Sequence, residues 1–368
     1  MLLCITTLAF DRIQHMNKKK VLIGLSGGVD SSVSAYLLKK KGYEVIGATM
    51  QIWNDIKEEN GTCCSLTAVE DARRVANKLD IPYYVLNFKK VFDEKVIKYF
   101  ISEYLQGRTP NPCIACNRYI KFEELLNKAL SMGIDYVSTG HYARVIKKGD
   151  RYILKKGKDS TKDQSYVLYN LTQEQLSKCI FPLGNITKKK VRKIAKKLEL
   201  GVAQKPDSQE ICFVEDNDYG KYIQENSGKS LKNGNIVDKQ GNILGQHKGI
   251  HNYTIGQRKG IEISSKEPLY IVDINVGKNE IIVGGEKDIY MDELIASDLN
   301  WIGIEKLENS MKVKGKIRYG GTESKCTISN INDGNVIVKF DEKQRAITPG
   351  QSIVFYKNDI VIGGGTIL

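Results

Sequence analysis

The sequence lacks the features that mark membrane-spanning, secreted and repetitive proteins. The apolar stretch at residues 1–10 is too short to cross a bilayer. It also has neither the basic n-region nor the small-residue cleavage site of a secretory signal. The chain contains no internal repeat and no low-complexity tract. We therefore expect a cytoplasmic protein with no membrane partner.

Histidine is scarce, and cysteine is too sparse to form a disulfide framework. The four histidines are His15, His141, His247 and His251. None of them is spaced from the cysteines in the way that a shared metal site requires. The eight cysteines of this long chain instead indicate reduced cytosolic thiols, some of them catalytic or metal-binding.

Basic residues outnumber acidic ones along the whole chain. The net charge is +13, and the lysines are spread along the sequence rather than collected in a tail. This balance suits a polyanionic partner such as nucleic acid, although a solvated basic surface would produce it as well. With 368 residues and 41% apolar content, the chain is large enough for two or three domains with a real core.

Changes in pattern divide the chain into four predicted segments. Residues 1–15 read as a non-native or disordered leader, because Met16 and its lysines run directly into a first strand. Residues 16–213 alternate strands with helices. Residues 214–290 combine glycines with short β-like runs, which predicts a small, mostly β domain. Residues 291–368 carry short alternating strands between turn residues, which predicts a β-barrel.

Residues 21–32, with the sequence VLIGLSGGVDSS, predict an anion-binding site. A short apolar run, typical of a strand buried on both faces, leads into a Gly/Ser turn and then directly into a helical pattern. Glycines let backbone N–H groups approach oxygens, hydroxyls add donors, and the helix dipole favours negative charge. The turn has no lysine, so the site is not a Walker P-loop.

The alternation of strands and helices predicts an α/β domain with a doubly wound parallel sheet. Such sheets bind ligands at the carboxyl ends of their strands. Met50 and Gly140-His141 each follow a predicted strand, so we expect them to line the same crevice as the Gly/Ser turn. Met50 is equally compatible with an ordinary place in the core.

Two segments place cysteines in settings that favour chemistry. The proline-rich residues 109–118 contain Cys113 and Cys116. We expect Cys116 to lie just before a helix that begins near residues 119–121, where the helix dipole and a neighbouring arginine would favour its thiolate. Cys212 lies in a second loop.

Metal binding is the alternative explanation of these cysteines. Zinc would require a second pair with comparable spacing, and only the adjacent Cys63-Cys64 is present. An iron–sulfur cluster held by Cys113, Cys116 and Cys212, with one open iron site, is a stronger alternative. We expect no other fixed metal site.

The combined motifs resemble those of one family. The Gly/Ser turn is similar to the S-G-G-x-D-S pyrophosphate loop of ATP pyrophosphatases, which split ATP into AMP and pyrophosphate. From residue 16 onward the chain resembles the tRNA-specific 2-thiouridylases, whose N-terminal domain is adenine nucleotide alpha hydrolase-like. The matching stretches are GLSGGVDSS, GATM, NPCIACNRYIKF, TGHYA, KDQSY, KPDSQEICF and YTIGQRKG.

The resemblance implies a tRNA sulfurtransferase that uses ATP and Mg²⁺. The 2-oxygen of the wobble uridine would be adenylated, and sulfur would then displace AMP. Cys212 would carry the sulfur as a persulfide and Cys116 would be the nucleophile, with a transient disulfide between them and a third catalytic role for Asp30. The implied ATP-binding residues are Gly24, Leu25, Ser26, Gly27, Gly28, Val29, Asp30, Ser31, Met50 and Gly140.

The resemblance also implies an RNA surface and protein partners. The tRNAs would be those for Lys, Glu and Gln, and a cysteine desulfurase or a sulfur-relay protein would supply the sulfur. Some family members carry aspartate where this chain has Cys113, which keeps a [4Fe-4S] cluster on the three cysteines open as the sulfur carrier. The implied tRNA contacts are Asn111, Pro112, Cys113, His141, Lys162, Asp163, Gln164, Arg318, Tyr319 and Gln351.

Two other functions fit parts of the sequence. An amide-forming ligase of the pyrophosphatase group would use the Gly/Ser turn on small substrates and would not need Cys116 or Cys212. A non-catalytic RNA-binding protein would need neither those cysteines nor Asp30.

Overall fold

The computed structural model describes residues 18–52, 66–206, 211–214, 218–228, 231–331 and 334–368. The predicted leader at residues 1–15, the pair Cys63-Cys64 and residues 207–210 lie outside these ranges. Within the described ranges, no helix is long and apolar enough to cross a membrane.

The first sheet is parallel throughout, as the alternation of strands and helices predicts. Its strands are β1 (Lys20–Gly24), β2 (Glu44–Gln51), β3 (Tyr83–Asn87), β4 (Tyr136–Ser138) and β7 (Cys179–Ile180). Their order across the sheet is β3-β2-β1-β4-β7, and each neighbouring pair is parallel. The carboxyl ends of all five strands therefore face one edge of the sheet.

Helices alternate with these strands, and two more follow the last strand. They are α1 (Val29–Lys40), α2 (Leu66–Lys78), α3 (Lys89–Phe92, a π-helical Asp93–Ile97 and Lys98–Leu105), α4 (Pro112–Ala115, a π-helical Cys116–Glu124 and Leu125–Ser131), α5 (Gln173–Lys178), α6 (Lys188–Lys197) and α7 (Tyr219–Asn226). We call α4 the cysteine helix, because Cys113 and Cys116 both lie in it.

Side chains of β1 are buried on both faces of the sheet. Leu22 packs with Phe122 and Leu125 of the cysteine helix on one face. Val21 and Ile23 pack with α1, α2 and α6 on the other. Helices thus cover both faces, and the predicted doubly wound α/β fold is confirmed.

Six antiparallel strands of the C-terminal part close into a barrel. They are β12 (Tyr290–Trp301), β13 (Met311–Lys316), β14 (Ser324–Asn330), β15 (Val336–Arg345), β16 (Ser352–Lys357) and β17 (Ile360–Ile367). The order is β12-β15-β14-β13-β16-β17, and a further pairing of β12 with β17 completes the circle. The predicted barrel is confirmed, with Phe340, Ile353 and Phe355 among its core residues.

A hairpin from the α/β part extends this barrel. Strands β5 (Ala143–Lys148) and β6 (Arg151–Lys156) turn at Gly149, and β6 pairs with β17 rather than with the parallel sheet. Asp359 reinforces the junction, because its carboxylate lies 2.8 Å from Arg144 and 3.0 Å from Lys155. The barrel is therefore bound to the α/β part by main-chain and ionic contacts.

A smaller sheet lies between these parts in the sequence. Strands β8 (Gly234–Val237), β9 (Ile243–His247), β10 (Tyr270–Asn275) and β11 (Glu280–Gly284) have the order β10-β11-β8-β9. Ile236, Ile271 and Ile281 form a core separate from those of the other two sheets. This agrees with the predicted small, mostly β region.

The segment before the cysteine helix, residues 107–111, touches both β regions; we call it the junction loop. Gly107 has a φ of +69°, and a Cβ there would lie 2.9 Å from Ile274 of β10. The Thr109 N–H donates to the carbonyl of Pro349, which precedes β16, at 2.8 Å. Both β regions therefore contact the segment that leads into the cysteine helix.

Candidate active site

Residues 25–31 comprise the turn after β1 and the first residues of α1. We call them the phosphate loop. Gly27 adopts a φ of +64°, and a Cβ there would lie 2.5 Å from the carbonyl oxygen of Ala68 in α2. Both observations require glycine. Gly28 is the N-cap of α1 and has no side chain that could occupy the first-turn N–H groups. Those N–H groups and the helix dipole suit a phosphate oxygen.

Hydroxyl groups stabilise the shape of this loop. The Ser31 hydroxyl accepts from the Ser26 N–H at 3.2 Å and donates to the Gly28 carbonyl at 3.2 Å. The Ser32 hydroxyl donates to the same carbonyl at 2.7 Å. The Ser26 side chain remains exposed at the mouth of the turn. The loop therefore holds its shape through hydrogen bonds of its own residues.

Asp30 is held by two residues that the sequence did not indicate. The ammonium of Lys188 lies 2.8 Å and 2.7 Å from its two carboxylate oxygens. The Tyr142 hydroxyl donates to one of these oxygens at 2.7 Å. Lys188 is only 9% exposed, unlike its neighbour Lys189 on the basic helix α6. This helix therefore contributes one buried cation to the phosphate loop.

Two predicted ATP-binding positions outside the loop lie against it. A Cβ on Gly140, at the end of β4, would lie 2.8 Å from the backbone nitrogen of Ser31. A Cβ on Gly24 would lie 3.5 Å from the Met50 methyl group, so Met50 reaches the last residue of β1. The structure thus brings Met50 and Gly140 to the crevice where we expected them.

Substituting Gly140 tests this close approach. We expect Gly140→Ala to destabilise the protein by about 1–3 kcal/mol, because the new methyl group would press on the backbone of Ser31 and Asp30. Urea unfolding measures the effect. Gly201→Ala is the matched control, since a Cβ at Gly201 meets no atom within 4 Å. Equal destabilisation by the two substitutions would contradict the expectation.

The cysteine helix begins earlier than the sequence suggests. Asn111 is its N-cap, and the Asn111 side chain accepts from the Cys113 N–H at 3.1 Å, with Pro112 in the first turn. The expectation that Cys116 precedes a helix beginning near residues 119–121 is therefore wrong. Cys113 occupies the first turn instead, and the π-helical stretch begins at Cys116. Proline at this position favours a helix start rather than a loop.

Cys116 and Cys212 pack against the same apolar cluster. The cluster consists of Ile52, Phe92, Val96, Ala115 and Ile120. Both cysteine side chains are partly buried, whereas Cys113 is exposed. Phe213, which directly follows Cys212, packs against Phe92 of the same cluster, with the two ring centroids 5.7 Å apart. Two segments separated in sequence are thus brought to one surface, and Met50 packs against it as well.

The cysteines do not form a metal-binding set in this conformation. Among the residues that the structure describes, no group of three or more His, Cys, Asp or Glu side chains is placed to hold a metal ion. The arrangement of Cys113, Cys116 and Cys212 therefore does not fit the ligand set of an iron–sulfur cluster.

His141, predicted to contact RNA, lies inside the protein. It is 7% exposed, and its Nδ1 lies 2.7 Å from the Thr139 hydroxyl. Burial first, and then the nearby Lys121, holds the pKa of His141 well below its ordinary value. The ring is therefore neutral at pH 7. An RNA contact by His141 stays a prediction and would require this region to open.

The burial of His141 has a consequence for the pH dependence of stability. The unfolded chain binds a proton at this residue below about pH 6.5, whereas the folded chain does not. The free energy of unfolding should therefore fall as the pH drops below 6.5, by at most about 1.4 kcal/mol per pH unit from this group. Urea unfolding at pH 5.5 and 7.5 measures this. Replacing His141 by Asn should reduce the difference, and an unchanged difference would contradict the expectation.

Lys162, Asp163 and Gln164 lie on the segment that follows the β5–β6 hairpin. The Asp163 carboxylate accepts from the Gly157 N–H at 2.8 Å and from the Ser165 hydroxyl at 2.8 Å. The Gln164 side-chain oxygen accepts from the backbone N–H of Tyr142 at 3.0 Å. Asp163 and Gln164 therefore shape this segment, and the predicted RNA contacts of all three residues stay predictions.

The barrel residues predicted to contact RNA differ in exposure and in partners. Tyr319 is 43% exposed, and the Lys316 ammonium lies 5.7 Å from the centre of its ring. Burial of part of the ring, and then the nearby Asp163, raises the pKa of Tyr319. The barrel reaches the cysteine helix through Asp298, whose carboxylate lies 2.6 Å from Arg118. Arg318 donates to the carbonyl of Arg345 at 2.6 Å. Gln351 donates to the carbonyl of Thr109 at 2.8 Å and so holds the junction loop.

The fold and the site together define a phosphate-binding α/β domain joined to a barrel that reaches its cysteine helix. Comparison with known families agrees with this division. Residues 19–216 match the tRNA methyl transferase HUP domain, residues 220–285 the tRNA methyl transferase PRC-barrel domain, and residues 291–367 the aminomethyltransferase beta-barrel domain.

Curated relatives match over nearly the whole chain. The tRNA-specific 2-thiouridylase MnmA of Acetivibrio thermocellus is 60% identical over 96% of this chain and 100% of its own length. The protein of the same name from Clostridium botulinum is 59% identical over 96% of this chain and 98% of its own. Among solved structures, the NMN synthetase of Francisella tularensis is 18% identical, with a TM-score of 0.35 over 60% of this chain and 82% of that chain. The chain belongs to the tRNA-specific 2-thiouridylase family.

Proposed function

We propose that the protein is an ATP-dependent sulfurtransferase that converts the wobble uridine of tRNA to 2-thiouridine. The observation that carries the proposal is the position of Met50. It touches the end of β1 at Gly24 and also packs against the apolar cluster on which Cys116 and Cys212 lie. An ATP phosphate at the phosphate loop and a sulfur at the cysteines would therefore flank one small region.

The first half of the reaction would occur at the phosphate loop. The 2-oxygen of uridine attacks the α-phosphorus of ATP, forms an adenylated base and releases pyrophosphate. The first-turn N–H groups of α1 would bind phosphate oxygens, and Asp30 would keep Lys188 directed at the loop. Mg²⁺ would enter with ATP and neutralise part of the phosphate charge.

The second half would occur at the cysteines. A persulfide on Cys212 attacks carbon 2 of the base through its terminal sulfur, and the carbon–oxygen bond to AMP breaks. The Cys116 thiolate then attacks the inner sulfur of Cys212, which releases 2-thiouridine and leaves a disulfide between the two residues. A thiol reductant would restore both cysteines. The proposed steps use only the sulfurs of Cys116 and Cys212 and the adenylated base, and none of them is routed through iron.

The proposal also names the partners that the family resemblance implies. tRNAs for Lys, Glu and Gln would be the substrates, and a cysteine desulfurase or sulfur-relay protein would form the persulfide in the cytoplasm. Residues 214–290 and 291–368 would bind the RNA. The net charge of +13 supports a polyanionic substrate, and the exposed ring of Tyr319 with Lys316 beside it supports contact with a base and its phosphate.

Reconstitution tests the proposal directly. Purified protein is incubated with MgATP, unmodified tRNA, a persulfide donor and a thiol reductant, and the nucleosides are analysed by mass spectrometry. We expect one AMP and one pyrophosphate for each 2-thiouridine formed. ATP cleavage with a small amine acceptor and no thiolated RNA would instead identify an amide-forming ligase.

The role of iron is tested with the same assay. Iron-free protein and a Cys113→Ser variant should both form 2-thiouridine when a persulfide donor is present, because the proposed reaction uses only Cys116 and Cys212. Thiolation that appears only after iron and sulfide are restored, and that Cys113→Ser abolishes, would replace the persulfide by a [4Fe-4S] cluster.

A further inference from the structure

A polar cavity lies beside the cysteine helix. It has a volume of about 250 Å³ and is enclosed by α3, the cysteine helix and the barrel. Neither Cys116 nor Cys212 lines it, and no residue of the phosphate loop does. It therefore lies apart from the region where we place the reaction.

The walls of this cavity combine aromatic rings with amides. Tyr99 of α3, Tyr119 of the cysteine helix and the buried Tyr169 supply the rings, while Asn111 and Asn170 supply the amides. Such a lining suits a flat molecule that stacks on a ring and exchanges hydrogen bonds at its edge.

The charges around the cavity are balanced. Arg118 lies 2.6 Å from Asp298 of the barrel, so its charge is compensated within the cavity wall. Lys95 and Glu94 provide one further charge of each sign, and Lys95 and Arg118 both lie within 6 Å of the Tyr119 ring centre. A site with no excess of positive charge does not favour phosphate and is better suited to a neutral ligand.

Asn170 is held in the cavity wall by a hydrogen bond to the cysteine helix. Its side-chain nitrogen donates to the carbonyl of Ile114 at 3.3 Å, whereas its Oδ1 is buried and has no hydrogen-bond partner among the described residues. Asn170 is only 6% exposed.

We infer that this cavity binds one nucleobase of the RNA substrate, next to the base that is thiolated. The inference rests on the proposed function. Its volume is below that of typical small-molecule pockets, which suits a single base rather than a whole nucleotide. Asn111 lines the cavity and caps the helix turn that holds Cys113, while Tyr99 and Tyr119 pack on the same cluster as Cys116. A nucleotide whose base occupies the cavity would therefore lie beside the cysteine helix, where the adjacent base is thiolated.

Coupling between an abasic RNA and a Tyr119 variant tests this inference. An anticodon stem–loop RNA is prepared with the target uridine and with an abasic nucleotide on either side of it in turn. With wild-type protein, one of the two abasic RNAs should bind about 5- to 150-fold more weakly than the intact RNA, the range expected for one stacked base. With Tyr119→Ala, that difference should disappear, because the ring that stacks is missing.

Two matched variants separate stacking from a general structural effect. Tyr119→Phe keeps the ring and should retain the wild-type difference. Tyr152→Ala removes another partly buried tyrosine whose ring lies near a lysine, at 5.9 Å from Lys147, and should also retain it. Equal effects of the abasic sites on wild type and Tyr119→Ala would overturn the inference.

The same experiment distinguishes the inference from the proposed function. If wild-type protein thiolates the intact RNA but shows no coupling at Tyr119, only the inference fails. If it neither binds nor thiolates the RNA, the proposed function fails first.

Discussion

Cys212→Ser should abolish formation of 2-thiouridine and leave ATP cleavage intact. The variant keeps the phosphate loop, so the base is still adenylated and pyrophosphate is still released. It has no sulfur that can hold a persulfide, and serine cannot replace a thiolate in this exchange. Pyrophosphate release and 2-thiouridine formation are measured in the same reaction with tRNA and a persulfide donor. The variant should release pyrophosphate and form no 2-thiouridine.

Two further cysteine variants complete this test. Cys116→Ser should also stop the release of 2-thiouridine, but here the RNA should stay joined to Cys212 through the persulfide sulfurs, an adduct that mass spectrometry of the intact protein detects. Cys179→Ala is the control, because Cys179 is buried on β7 away from the cluster on which Cys116 and Cys212 lie, and it should keep thiolation. Normal thiolation by Cys212→Ser would exclude the persulfide route.

Lys188→Met should lower the rate of AMP formation by about 10²- to 10³-fold, the range for loss of one preorganised donor that stabilises charge in a transition state. Lys188 is buried and contacts both oxygens of Asp30, so no water or neighbouring lysine replaces it. The rate is measured with labelled ATP, unmodified tRNA and a persulfide donor, all at saturating concentrations. Transfer of sulfur from the donor to Cys212, which needs no ATP, should be unaffected.

The adjacent lysine provides the control for this substitution. Lys189→Met makes the same change one residue further along α6, on an exposed side chain, and should leave AMP formation within about twofold of wild type. If both variants lose activity equally, the contribution belongs to the charge of the helix as a whole rather than to the contact with Asp30.

Local patterns in the sequence were sufficient to predict the phosphate loop and the sheet around it. The run from Val21 to Leu25 is apolar without alternation, as required of a strand covered on both faces, and the structure buries it completely. The glycine at position 27 lies in the predicted Gly/Ser turn, and its positive φ and tight contact with α2 show why the turn needs a glycine there. These features depend on residues that are close together in the sequence, so the sequence alone predicts them.

Contacts between distant segments could not be predicted in this way. Lys188 belongs to a helix whose other lysines face solvent, and nothing in its immediate sequence distinguishes it from them. It meets Asp30 across 158 positions of the chain, through the packing of α6 against α1. His141 was expected at a surface because it ends a strand, yet the rings of Phe122 and Phe181 enclose it. Both outcomes depend on tertiary packing.

The error at the cysteine helix has a local cause that the sequence did contain. Asn111 and Pro112 form an N-cap and a first helical position, which is a recognised start signal. The two prolines in this segment suggested a loop instead. The π-helical stretch from Cys116 to Glu124 has no comparable signal in sequence, although such stretches are frequent at functional sites.

The junction loop also determines when an active enzyme can exist during folding. Its carbonyl at Thr109 is bound by Gln351, which lies 242 positions further along the chain. A contact of this sequence separation forms late, because a very long loop must close first. During synthesis the phosphate loop could fold and bind ATP long before the barrel is made. Sulfur transfer should begin only afterwards, so an unfinished chain would not expose a reactive, correctly positioned pair of cysteines.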